Sequence, residues 1–167
     1  MFKTPYIIHS TSIENMMDII DTKLLYGNRY IPKKHIRLAA AERLPYIYTT
    51  IVTNELPSFG PALVFDFDIL FHQSAIYNYG WLAHPTDTSI YISADDSNSE
   101  KSYKVKKILK AVDKTHSITD HELLFIGRIV LKDYLIGIMC YECSNETIEL
   151  LRHKLDSNGL HKVKIYK

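Results

Sequence analysis

The side chains best placed to do chemistry stand in two short segments. One is Asp120-His121-Glu122-Leu123-Leu124-Phe125, where a single carboxylate opens an otherwise apolar strand. The other is Tyr6-Ile7-Ile8-His9-Ser10-Thr11, where a His, a Ser and a Thr end a strand just before a helix signal. A carboxylate fixed at the edge of an apolar element can accept a proton. It can also stabilise positive charge that develops in a water-poor site. A His and two hydroxyls at a strand-to-helix turn can bind a polar ligand, helped by the unpaired N–H groups of the first helical turn.

The elements that must position these residues follow from local pattern. Residues 5–9 are short, apolar and β-branched, and read as a strand. Thr11-Ser12-Ile13-Glu14 has the form of a capping box with Thr11 as the cap. Ile13, Met16, Met17, Ile20 and Leu24 then recur at helical spacing, up to Gly27 as the stop. His35 to Arg43 reads as a short helix ended before Pro45. Tyr46 to Val52 is aromatic and β-branched, and reads as a strand. A further strand over 62–68 alternates Phe65 and Phe67 with Asp66 and Asp68. Residues 71–85 read as an aromatic loop holding Tyr77, Tyr79 and Trp81.

The second half continues with a strand over 89–93 and a basic helix over 104–112. Strands over 122–126 and 135–141 are joined through a helical turn at Leu131–Tyr134. A helix runs from Ser144 to Asn158-Gly159, and a strand over 161–166 follows. Strands do not strictly alternate with helices. This pattern argues against a doubly wound sheet and for an α+β domain with a mixed or antiparallel split sheet and flanking helices. A chain of 167 residues fits one domain over 1–167, since domains hold about 100–200 residues.

Composition narrows the classes. The hydrophobic fraction of 46%, charged fraction of 23% and net charge of +1 are those of an ordinary globular chain, with no bulk excess of positive charge. Lys101, Lys104, Lys106, Lys107 and Lys110 still form a local basic stretch. No apolar run approaches the ~20 residues that span a bilayer, so no membrane partner is expected. Cys140 and Cys143 stand without a second pair. They read as buried or half-buried thiols, not as zinc ligands. That reading, with no signal-peptide pattern, fits an intracellular, cytoplasmic setting. Asp66 and Asp68 lack a third ligand, so no metal is expected. The abundance of Tyr, Ile and Lys suggests an AT-rich coding genome, as in a virus, phage, protist or low-GC bacterium.

Taken in order, the two end segments resemble the ADP-ribosyltransferase fold, and most closely its DarT branch, which modifies DNA. Members open with a strand, a His-x-Thr turn and a helix, matched here by Ile8-His9-Ser10-Thr11 through Leu24-Leu25-Tyr26-Gly27. They close with a Glu opening a strand, matched by Glu122 to Arg128 and then Leu135-Ile136-Gly137-Ile138. The likeness covers about half the chain, in two blocks. It departs from the pattern in one place: the branch's catalytic Arg follows an aromatic strand, and the strand Tyr46-Ile47-Tyr48-Thr49-Thr50-Ile51 is followed by none. Arg43 lies just upstream.

The resemblance implies an NAD-using transferase of the glycosyltransferase class. In that chemistry the bond between nicotinamide and ribose breaks through an oxocarbenium-like transition state. It implies Glu122 as the catalytic carboxylate and His9, Ser10 and Thr11 as NAD contacts. Tyr46 and Tyr48 would pack on nicotinamide, and Arg43 would stand in for the missing Arg. Tyr77, Tyr79 and Trp81 are candidates to stack on acceptor bases, with Lys104 and Lys107 against phosphate. The expected acceptor is nucleic acid, or else protein. Two other readings stay open. One is an inactive domain of the same fold, serving a virus or phage as an interaction or structural protein. The other is a nucleotide hydrolase or nuclease acting through His9 and Glu122.

Overall fold

A computed structural model of the chain describes residues 5–27, 46–53, 60–82, 84–115 and 120–167. The first strand, β1 (Tyr6–Ser10), buries Tyr6, Ile7 and Ile8 completely or nearly so. Apolar residues on both faces make it a central strand. Helix α1 (Ile13–Thr22) follows, packing Met16 and Ile20 into the core. Its cap is Ser12, whose Oγ accepts from the Asn15 N–H at 3.2 Å, one residue later than the expected Thr11. The Thr11 N–H instead donates to the Pro61 carbonyl at 3.0 Å, tying the turn to the residue just before Ala62.

Helix α1 ends before Gly27. Lys23 adopts the left-handed conformation (φ 60) and its N–H donates to the Ile20 carbonyl. The chain then enters β2 (Leu24–Tyr26). Leu24 keeps helical spacing with Ile20, yet pairing across a small second sheet decides its conformation.

The next elements are β3 (Tyr46–Val52) and β4 (Ala62–Asp66). A 3-10 turn, Phe67–Phe71, cuts short the strand expected to reach Asp68. Asp66 caps it, accepting from the Asp68 N–H at 3.0 Å, which gives this Asp-x-Asp pair a structural task. The expected loop over 71–85 contains β5 (Ala75–Tyr79), which pairs with β6 (Ile90–Ile92). Helix α2 (Asn98–Val112) starts earlier than its basic stretch suggests, because Ser97 and Glu100 form a complete capping box. Then come β7 (His121–Ile126), β8 (Arg128–Val130) and α3 (Leu131–Tyr134). Gly127, at φ 91, turns the chain between β7 and β8. The last elements are β9 (Leu135–Met139), α4 (Asn145–Ser157) and β10 (Lys164–Tyr166). The helix expected over 35–43 lies outside the described residues.

Among the described residues, eight strands form one mixed sheet in the order β10-β9-β4-β1-β3-β7-β5-β6, and β2 pairs with β8 apart from it. Within the large sheet β9 and β10 run parallel and the remaining neighbours antiparallel. The main core packs α1, α2 and α4 on one face, through Ile20, Ile108 and Leu151 against Leu63, Ile51 and Leu123. A smaller cluster on the other face holds Tyr6, Ile8, Val64 and Met139.

Cys140 and Cys143 correct the expectation of free thiols: they are disulfide-bonded, with Cα atoms 5.3 Å apart. A tight turn after β9, closed by the Cys143 N–H on the Cys140 carbonyl at 3.2 Å, brings them together.

Candidate functional site

Glu122 is the second residue of β7 and has no exposed surface. Burying a carboxylate is costly unless donors replace its water. Two donors converge on Oε2: the Asn78 side-chain Nδ2–H at 2.8 Å and the Leu82 main-chain N–H at 3.2 Å. Asn78 stands directly opposite on β5, itself 1% exposed. On the other side Glu122 faces Thr50 of β3, and Thr50 faces Ile8 of β1. Ile8, Thr50, Glu122 and Asn78 thus form one row across four adjacent strands.

That row marks where the sheet begins to open. Pairing of β1 with β3 ends at Ile8 and Thr50. Strand β1 continues against β4 as far as Ser10 and Ala62, while β3 continues against β7 as far as Tyr46 and Ile126. Past Ile8 the two halves of the sheet part. His9 sits at this mouth, half-buried, with Nδ1 2.8 Å from the Tyr48 carbonyl. Burial lowers its pKa below the ordinary 6.5, and the bond to Tyr48 partly offsets this. A carbonyl only accepts, so Nδ1 carries the proton and neutral His9 presents the lone pair of Nε2.

Ser10 is exposed and Thr11 half-buried at the same mouth. With capping assigned to Ser12, the Thr11 side chain has no helix-cap role. Tyr46 and Tyr48 lie half-buried on the strand across the opening. His9, Ser10, Thr11, Tyr46 and Tyr48 therefore border one gap.

Glu122 relates to that gap less directly. His9 is opposite Leu63, which belongs to the helix-covered core, while the Glu122 row includes Ile8 of the opposite cluster. Alternation in the pleat sends the two side chains to opposite faces. Their main chains are two strand spacings apart, roughly 10 Å. This separation denies a direct acid–base pair of the kind a His9–Glu122 hydrolase needs. A ligand touches both only by passing through the opening.

The aromatic candidates divide. Tyr77 is 3% exposed, and its hydroxyl bonds Nδ1 of His121 at 2.9 Å. It belongs to the core, which corrects its reading as a stacking residue in a loop. Burial, with the nearby Tyr79 and Asp120, pushes its hydroxyl up to about 12. Nε2 of His121 is 2.8 Å from the Thr115 hydroxyl, so this neighbour of Glu122 is engaged on the helix side. Tyr79 and Trp81 are exposed, and the turn they occupy supplies the Leu82 N–H to Glu122. Lys104 pairs with Asp96 at 2.5 Å; Lys107 is exposed on α2. Arg43 lies outside the described residues.

Local sequence pattern does not reveal Asn78 and the Leu82 amide as partners of Glu122, nor Ser89 as the partner of Asn78. A signal existed in Ala75-Ile76-Tyr77-Asn78-Tyr79: read with period 2, this segment sets Asn78 on the face opposite Tyr77. Its aromatic and polar residues, Tyr77, Asn78 and Tyr79, conceal the strand. Among the described residues no cluster of His, Cys, Asp or Glu is arranged to hold a metal ion. No helix among them is long and apolar enough to cross a membrane.

A family model described as a family of unknown function (DUF5846) matches residues 2–115. No curated protein matches the chain. Among solved structures, DarT of Thermus sp. 2.9 in complex with carba-NAD+ is similar with a TM-score of 0.57 at 12% identity, over 99% of this chain and 96% of that one. The same protein in complex with ADP-ribosylated ssDNA gives a TM-score of 0.58 at 13% identity, over 98% and 93%. The fold is that of the DarT-like ADP-ribosyltransferases. The structural likeness spans the middle of the chain as well as the two end segments.

Proposed function

The chain belongs to DUF5846, a family of unknown function, and we propose that it is an NAD-using ADP-ribosyltransferase acting within one domain over residues 1–167. Nucleic acid is the favoured acceptor and protein the next. The observation that carries this reading is Glu122: a buried carboxylate, oriented by two N–H donors, in the strand row where the sheet starts to open. The neighbour that binds NAD+ and the neighbour that carries ADP-ribosylated ssDNA support the substrate and acceptor classes.

The residues at the mouth fit a nucleotide in their donors and acceptors. His9 offers a bare Nε2 to a ribose hydroxyl, Ser10 an exposed strand end, and Thr11 a hydroxyl released from capping. Tyr46 and Tyr48 offer ring surface to nicotinamide. NAD itself supplies an activated bond between nicotinamide and ribose. Glu122 places a fixed negative charge against positive charge developing on the sugar, and takes the proton from the attacking acceptor group. Tyr79 and Trp81 stack an acceptor base, a contact worth ~1–3 kcal/mol. Because Glu122 is covered, the Tyr79–Leu82 turn must withdraw for the sugar to reach it.

Transfer of label from NAD to single-stranded DNA, or to protein in a lysate, tests the reading. Wild-type protein is expected to transfer label, and Glu122→Gln to lose at least ~100-fold of it, as for removal of one charge-stabilising group. Equal transfer by the two proteins would refute it.

The complete burial of Glu122 favours a second reading: a non-catalytic domain of this fold, with Glu122 kept as part of a structural network. Thermal shift with NAD separates the two. Stabilisation by NAD without label transfer selects a nucleotide-binding but inactive domain.

A further inference from the structure

We propose that Asn78 is the positioning residue of Glu122, and that Ser89 fixes the orientation of Asn78. This rests on the reading of Glu122 as the reacting carboxylate.

The Asn78 amide has two N–H donors and one carbonyl, and each is committed. One N–H goes to Glu122 Oε2 at 2.8 Å and the other to the His84 carbonyl at 3.1 Å. Both of those partners only accept. The Asn78 carbonyl accepts from the Ser89 hydroxyl at 2.5 Å. Ser89 Oγ in turn accepts the Thr86 N–H at 2.7 Å, which directs its own proton towards Asn78. Reversing the amide would set its oxygen against a carboxylate and a carbonyl at once. The side chain is 1% exposed, so water cannot repair such a mismatch.

The orientation of Glu122 therefore traces back through Asn78 on β5 to the turn ending at Ser89, beside β6. The sheet adds a second constraint, because Asn78 and Glu122 are direct cross-strand partners. A carboxylate held this way needs little reorganisation at the moment of reaction. Support of this kind, from a residue whose own rotamer is locked, is what a site needs to keep its geometry.

The test compares wild type with Asn78→Ala, Asn78→Asp, Ser89→Ala and Ser89→Thr. The readouts are kcat and KM for NAD, together with the carbon resonance of the Glu122 carboxyl followed through a pH titration. Asn78→Ala should lower kcat by up to ~100-fold, the cost of a small misplacement, with KM little changed. Ser89→Ala should act in the same sense more weakly, and Ser89→Thr, which keeps the hydroxyl, should restore most of the loss. Asn78→Asp replaces the donor beside Glu122 with an acceptor, so kcat should fall at least as far as in Asn78→Ala. Unchanged kcat in a folded Asn78→Ala protein would overturn the proposal. If wild type turns over no NAD, the functional reading fails on its own. The resonance still decides positioning: a Glu122 signal identical in wild type, Asn78→Ala and Ser89→Ala would overturn it. Should the Asn78 variants not fold, Ser89→Ala leaves the amide in place and carries the same comparison.

Discussion

Nδ1 of His9 lies 2.8 Å from the main-chain oxygen of Tyr48, across the gap where β1 and β3 stop pairing. A side chain here takes the acceptor that a ladder bond would otherwise use. The same bond fixes the tautomer, and so the face that His9 shows to a ligand.

This bond predicts a pH dependence. Burial holds the His9 pKa below its ordinary 6.5 in the folded protein. The unfolded chain therefore binds the proton first as pH falls. The His9 contribution to stability is fully present above about pH 6.5 and is lost as pH drops below it towards the lowered folded pKa. Thermal unfolding from pH 8 to pH 5 should show a smaller acid-side decline in His9→Gln than in wild type. Only the difference between the two curves reports His9, since other histidines titrate in the same range. Parallel curves would show that His9 is not the group responsible.

The hydroxyls at the first turn separate capping from binding. Ser12, not Thr11, accepts the helix N–H. Ser12→Ala should cost about 1 kcal/mol in denaturant unfolding, as for other N-cap losses. Thr11→Ala should leave stability nearly unchanged and weaken NAD-dependent thermal stabilisation. The reverse pattern, with Thr11 carrying stability and Ser12 none, would return the capping role to Thr11 and remove it from the binding site.

Most of the fold was legible where one pattern dominates. The strands at Tyr6, Tyr46 and Glu122, the turn of helix at Leu131 and the helix after Ser144 follow from apolar runs, caps and spacing. The errors share a cause: a local pattern was compatible with two conformations and a distant partner chose between them. Leu24 continues the helix period of α1, but pairing with Val130 across the small sheet makes it part of a strand. Tyr77 and Tyr79 look like loop aromatics, but pairing with β7 makes them part of a strand, in which Tyr77 is buried and Tyr79, at its end, stays exposed. At the site, Glu122 and His9 stand out by type alone. Their arrangement on opposite faces depends on register between strands far apart in sequence, which no local signal contains. The Asn78–Ser89–Glu122 chain is hidden for the same reason, since its members meet only after β5, β6 and β7 have paired.

Lys101 shows how far such distant partners shape the region around the site. It is 6% exposed, although it opens a run of lysines that reads as one solvated face. Its Nζ donates to the Phe71 carbonyl at 3.0 Å and to the Ala94 carbonyl at 2.6 Å. The ammonium thereby ties α2 to the end of the 3-10 turn that leads into β5, and to the segment after β6. Lys101→Met keeps the apolar stem and leaves two carbonyls unpaired. It should cost about 1.5–3 kcal/mol, the range for hydrogen bonds to a charged group. Lys104→Met, which removes a partly exposed pair with Asp96, should cost much less, and added salt should shrink that smaller loss further while leaving the Lys101→Met loss nearly unchanged. Denaturant unfolding of the two variants at low and high salt checks both statements. Equal losses would mean that Lys101 behaves as one more surface lysine, and that the strand carrying Asn78 and the turn ending at Ser89 are held without it.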